Sequence, residues 1–342
     1  MQNILVINVN WLGDVIFSSP IFPALKTQYP QARLTCLAPS RVQEILECVP
    51  GVDNVIVYDE KGAHKSLSAK LQLIWRLRQE KFDAAFILHR SLTRALLPFF
   101  AGIPVRVGYD TKNRGIFLTH RYPVPAGNLH RGDFYLKVIE NFGIRVSDRT
   151  NRLLVGEESR ASIRKKLVQR GVTDKDKIVI VNCGGNWDLK RWPADNFTEL
   201  IKRLMAVPGV RVIVSGADKD RPLVEGVVKN LPVRPVSFAG ELNLKELIAL
   251  MEAAAVVVSN DSGPIHIANA VGTAVVGIFG PTVPEITGPA GWGRKIILRE
   301  SVPCNQQSCY RLDCRDNECM QAVKVGSVWE AVSSLLKESI NV

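Results

Sequence analysis

Short unbroken runs of aliphatic and β-branched residues recur along the chain, each ending at a polar or glycine-bearing break before an apolar-periodic segment begins. In the first half they fall at 4–9, 33–38, 55–58 and 84–88, and in the second at 178–182, 210–215, 256–258 and 274–279. Continuous rather than alternating runs are the pattern of strands buried on both faces, as in parallel sheets covered by helices. Between them the helical period predicts helices over 15–28, 42–47, 67–80, 157–170, 244–254 and 325–337, and another opened by Pro193. The region from Arg106 to Pro125, with Gly108, Gly115 and Pro123, reads as loop-rich. The pattern weakens over 148–158, where a linker is expected. The reading is a doubly wound α/β chain of two domains, 1–155 and 156–324, with the final helix (about 325–340) crossing back onto the first.

In open α/β sheets ligands bind beyond the carboxyl ends of strands, so the breaks after the runs carry the candidate chemistry. After 256–258 come Asn260, Asp261, Ser262, Gly263, Pro264 and His266. A strand, a tight polar loop and an outgoing helix whose first amides point at the loop make an anion site, although any βαβ unit shares that outline. The loop Gly280-Pro281-Thr282 ends the next strand and is expected beside it. The loop 183–193 holds Gly184, Gly185, Lys190 and Arg191, with glycines for close approach and Lys190 as a point charge for a phosphate. Asp220 stands where a ribose hydroxyl would be met, or is an ordinary first-turn acid. In the first half, Gly13-Asp14 follows the first strand, and Asp14 would either cap amides or face a ligand. That turn lacks G-x-G-x-x-G, which argues against a dinucleotide dehydrogenase.

The 342 residues carry a formal charge of +11, which favours anionic partners. Lys61, Arg90, Arg94, Arg106, Lys112, Arg114 and Arg121 form a basic series in the first half, either converging on an anionic substrate or lying as solvated surface. No apolar run is long enough to cross a bilayer, and the amino terminus lacks the basic flank of a secretory signal, so a cytoplasmic protein is expected. Seven cysteines suit reduced thiols there. Four of them, Cys304, Cys309, Cys314 and Cys319, are evenly spaced without the tight pairs of zinc modules, so no metal site is expected.

Gly13-Asp14, the segment Lys190-Arg191-Trp192-Pro193 and the segment from Asn260 to His266 together resemble glycosyltransferase family 9, the ADP-heptose:lipopolysaccharide heptosyltransferases. Residues 101–109 and the Cys319-Met320 tail also resemble family signatures, so the likeness runs nearly end to end. It implies a GT-B fold, two Rossmann-like domains with parallel sheets facing a cleft, and inverting, metal-independent transfer without a cofactor. Asp14 would be the general base and Lys190 would stabilise the leaving diphosphate. Gly184, Gly185, Asp220, Asp261, Ser262, Gly263 and His266 would hold an ADP-sugar. Gly13, Lys61, Arg90, Arg94 and Arg114 would meet an anionic lipid-linked acceptor resembling Kdo-bearing lipid A. The implied protein is a monomer without nucleic-acid partners, held at the inner membrane leaflet by charge rather than insertion. Two rival readings are a non-catalytic nucleotide-sugar binding protein, against which Asp14 and Lys190 speak, and a sugar-nucleotide epimerase, which needs further carboxylates facing the donor.

Overall fold

The computed structural model describes residues 1–311 and 313–338. The chain divides into two compact units, Met1–Leu154 and Val155–Val342. Each unit is built on one six-stranded, all-parallel sheet.

The first sheet contains β1 (Asn3–Ile7), β2 (Arg33–Ala38), β3 (Asn54–Val57), β4 (Ala84–Ile87), β5 (Val105–Tyr109) and β6 (His120–Tyr122), in the order β3-β2-β1-β4-β5-β6. The apolar runs are its central strands: Ile4 to Ile7 and Ala84 to Ile87 are wholly inaccessible, because helices cover both faces. The segment expected to be loop-rich instead holds β5 and β6, which begin on half-buried or exposed residues that break the apolar run. The helix expected over 15–28 is two helices, Leu12–Phe17 and Ile21–Gln28. Pro20 has no amide hydrogen to give and disfavours a helical Ser19, so the first helix stops there.

The second sheet contains β7 (Lys177–Asn182), β8 (Val210–Ser215), β9 (Val236–Ser237), β10 (Val256–Asn260), β11 (Ala274–Phe279) and β12 (Lys295–Arg299), in the order β12-β11-β10-β7-β8-β9. Counted from its own first strand this is the same order as in the first unit. In both sheets the direction of strand addition reverses beside the first strand, between β1 and β4 and between β7 and β10, which is where an open α/β sheet leaves room for ligands.

The helix Val325–Glu338 corrects an expectation. It packs within the second unit: its buried Val328, Ala331, Val332, Leu335 and Leu336 join the core formed by Val179, Val181, Val258, Val276 and the helix Ala194–Met205. An amphipathic stripe specifies that a helix must be covered, not what covers it, and the apolar face of the second sheet takes it. The last part of the predicted span, 339–340, lies outside the described residues.

Candidate active site

In the first unit the loop after β1 runs through Asn10 and Trp11 into the helix Leu12–Phe17, which carries Gly13 and Asp14 in its first turn. Asp14 is not the cap, since Trp11 holds that position without a side-chain bond. Instead Asp14 Oδ1 accepts a hydrogen bond of 2.8 Å from the Tyr135 hydroxyl on the helix Arg131–Asn141. Burial, and then the neighbouring Asp14 charge, push the Tyr135 phenol far above its ordinary range, so it remains a donor at any working pH.

Asp14 and Tyr135 line a pocket of ≈ 290 Å³ whose other walls include Asn10, Trp11, His89, Ser91 and Phe134, with Arg90, Lys112 and Arg131 supplying cations. Lys112 and its neighbour Asn113 adopt φ of 52° and 57°, a left-handed conformation that non-glycine residues rarely hold and that is concentrated at functional sites. His89 Nδ1 meets Ser91 Oγ at 3.0 Å and accepts from the Ser91 amide at 3.2 Å, while Nε2 lies 3.0 Å from Asn10 Nδ2. Burial, reinforced by the charge of Arg94, lowers the His89 pKa to about 4, so a neutral imidazole faces the pocket.

Two of the expected acceptor contacts are corrected. Arg94 and Arg114 are 1% and 0% exposed. Arg94 stacks 4.2 Å from the Tyr58 ring centroid and donates to Asn10 Oδ1. Arg114 donates to the carbonyl oxygens of Tyr109, His89 and Ser91. Both guanidinium groups brace the loops after β1, β4 and β5 from behind, giving buried acceptors the donors they need. Arg90 is exposed at the pocket, and Lys61 is exposed on the surface outside the pocket lining.

In the second unit the loops after β7, β10 and β11 are joined by side chains. Lys190 Nζ lies 2.6 Å from Asp261 Oδ2, which also accepts from Thr282 Oγ1 at 2.5 Å, while His266 Nε2 stands 3.8 Å from Asp261 Oδ1. Asn260 is the staple: its amide donates to the carbonyls of Cys183 and Gly184 at 3.0 and 3.2 Å and accepts from the Trp192 amide at 3.0 Å. Trp192, 2% exposed, is itself anchored by donating from Nε1 to the Val323 carbonyl at 2.8 Å. Ser262 caps the helix Gly263–Ala270, and its hydroxyl meets Ser259 Oγ at 3.1 Å.

Asp220 is corrected in part. Its carboxylate is buried, accepts from the Ala217 amide at 3.0 Å and pairs with Arg191 at 3.7 Å, so it shapes its own loop instead of presenting itself to a ribose. It also explains Gly184, since a Cβ there would stand 2.4 Å from Asp220 Oδ2. At Gly185 a Cβ would meet only ordinary contacts. Tyr310, from the cysteine-bearing segment, stacks on Trp187 at 6.2 Å between centroids and 9° between planes, and the Cys309 amide donates to the Pro281 carbonyl, so this segment edges the same loops. Among the described residues no three His, Cys, Asp or Glu side chains converge as a metal site.

Tyr135, His89, Asn260 and Thr282 were not singled out from sequence. Asn260 and Thr282 lay inside motifs already noted, whereas Tyr135 stands 121 residues from its partner with no local signal.

The family model for glycosyltransferase family 9 (heptosyltransferase) matches residues 70–316. Lipooligosaccharide heptosyltransferase 2 of Haemophilus influenzae is 31% identical over 300 residues, covering 84% of this chain and 86% of the relative. A solved glycosyl transferase family 9 structure from Veillonella parvula superposes with a TM-score of 0.86 at 25% identity, covering 98% of this chain and 97% of that one. The ADP-heptose lps heptosyltransferase II structure of E. coli gives 0.83 at 25% identity and 99% coverage of both chains. The two parallel sheets and these likenesses give the chain the GT-B fold.

Proposed function

Because the chain belongs to glycosyltransferase family 9 and is a glycosyltransferase, we propose that it moves a heptose from an ADP-heptose donor to a lipopolysaccharide inner-core acceptor, with inversion at the anomeric carbon. The donor and acceptor classes are those in the names of its relatives. The observation that carries the reading is Asp14: an acidic side chain held by Tyr135 at the wall of a pocket otherwise supplied with cations. Arg90, Lys112 and Arg131 suit an acceptor bearing phosphate or carboxylate groups.

In the proposed reaction Asp14 takes the proton of an acceptor hydroxyl as its oxygen bonds to the anomeric carbon. The bond from that carbon to the diphosphate breaks on the opposite face, and ADP departs with the electron pair. Lys190 meets the charge gathering on the diphosphate, aided by the amides that open the helix Gly263–Ala270 behind Ser262. Asp261, Thr282 and His266 keep the ammonium group of Lys190 in place until the donor arrives. The first unit takes the acceptor and the second the donor, and the enzyme acts as a monomer at the inner face of the membrane.

The test is Asp14→Asn, which keeps the shape of the side chain and its bond to Tyr135 but cannot accept the proton. Turnover should fall by about 10² to 10⁴, with ADP affinity within a factor of about two of wild type. A variant keeping half of the wild-type kcat with chemistry rate-limiting would remove Asp14 from the reaction.

A further inference from the structure

The helix Leu67–Gln79 carries two apolar stripes where a helix on a sheet needs one. Leu73 and Leu77 are buried in the core of the first unit. Leu67, Leu71 and Trp75, spaced four residues apart and therefore on one face, are 74%, 56% and 65% exposed. A single exposed leucine needs no explanation, but a stripe of three large apolar side chains is the kind of surface that marks an interaction site.

The cations around it identify the partner. From Lys61 to Gln79 the chain has Lys61, Lys65, Lys70, Arg76 and Arg78 and not one carboxylate. None of the five is drawn into an ion pair among the described residues. The helix packs against the helix Leu92–Phe100, whose last turn exposes Phe99 and Phe100, and the turn Gly115–Phe117 packed on that helix exposes Ile116. No helix among the described residues is long and apolar enough to cross a membrane. An amphipathic helix with tryptophan and leucine on one face, flanked by lysine and arginine, has the composition of helices that lie in the plane of a bilayer interface. Tryptophan settles at the headgroup level, and the cations meet anionic lipid.

We propose that the helix Leu67–Gln79 is a docking surface for an anionic lipid bilayer, inserting Leu67, Leu71 and Trp75 at the headgroup boundary. The first unit is thereby held where a lipid-linked acceptor resides. Attachment by charge alone, the sequence expectation, is thus replaced by charge plus shallow insertion. The purpose of the surface rests on the acceptor proposed above, but its existence does not.

The experiment is vesicle flotation of the full chain with phosphatidylethanolamine–phosphatidylglycerol vesicles, at about 70:30 so that the surface is negatively charged, and with phosphatidylcholine vesicles. Wild type should float with the anionic vesicles and not with the neutral ones. The triple variant Leu67→Gln/Leu71→Gln/Trp75→Gln should partition at least about tenfold more weakly, because the buried apolar area is gone. Lys65→Gln/Lys70→Gln should weaken binding by roughly fivefold per cation at low salt and lose its effect as salt rises. The triple variant should keep the wild-type thermal midpoint and its turnover on a delipidated, water-soluble acceptor, since its three side chains face solvent. Equal flotation of wild type and triple variant would overturn the proposal. So would absence of flotation with a dimer that the triple variant abolishes, which would give the stripe to a second copy of the chain. Flotation as expected with an inactive enzyme would sink the acceptor reading and leave the docking surface standing.

Discussion

Removing the ammonium group of Lys190 should damage the second unit and its chemistry separately, and the two losses can be pulled apart. Lys190 lies 2.6 Å from Asp261 Oδ2, with the Lys190 side chain 21% exposed and that of Asp261 5%. In Lys190→Ala the Asp261 carboxylate stays buried, met by the Thr282 hydroxyl and the more distant His266 imidazole but by no lysine. Breaking a fully buried pair costs about 3–5 kcal/mol, and the partial exposure of Lys190 lets water repay part of that, leaving ~2 kcal/mol. For a unit of this size that lowers the melting midpoint by about 4–8 °C. The double variant Lys190→Ala/Asp261→Asn has no stranded charge and should recover most of the midpoint. It should not recover turnover, which loses about 10² to 10³ with the leaving-group cation. Scanning calorimetry and initial rates on the same preparations decide the matter. A midpoint unchanged in Lys190→Ala would refute the view of Asp261 as a charge dependent on Lys190, and a double variant with restored turnover would show that Lys190 serves only the fold.

Tyr135→Phe removes a charge-assisted hydrogen bond that fixes the orientation of Asp14 Oδ1, so kcat/KM should fall by about tenfold with ADP affinity unchanged; an unchanged kcat/KM would make the phenol a packing residue only. His89 gives a pH dependence of stability. Its pKa falls from 6.5 to about 4 on folding, so between those values the unfolded chain binds more protons and stability is lost as pH falls through that window. His89→Gln should flatten the slope of melting midpoint against pH from 6.5 to 4, and an unchanged slope would contradict the burial of a neutral imidazole.

The parallel architecture was legible because both faces of each sheet are covered, which turns the inner strands into unbroken apolar runs such as Ile4 to Ile7 and Val256 to Val258. Outer strands lack that signature: β6 and β9 have three and two residues, exposed or half-buried, and hydrogen bonding to a neighbour makes them strands. The loops that carry Asp14, Lys190 and Asp261 were legible for the same reason, as polar breaks at the ends of readable runs. Arginines were not. Nothing local separates Arg94 and Arg114, fully buried against carbonyls and a tyrosine ring, from Arg90 at the pocket, since burial is decided by partners far along the chain. Tyr135 was invisible on the same ground, and Asp220 looked free to meet a ligand until the neighbouring Gly184 showed how tightly its loop closes on it.

The placement of the helix Val325–Glu338 sets an order of events on the ribosome. The contacts of the first unit are complete once residue 154 has emerged, so that half can fold while synthesis continues. The second half cannot close its core until the helix that supplies Val328, Val332 and Leu335 appears, some 170 residues later, on the order of 10–30 s at usual elongation rates. During that interval the apolar face over β10 and β11 is exposed to chaperones and proteases, and a chain cut short before residue 325 would carry a finished Asp14 pocket and a second unit that never seals.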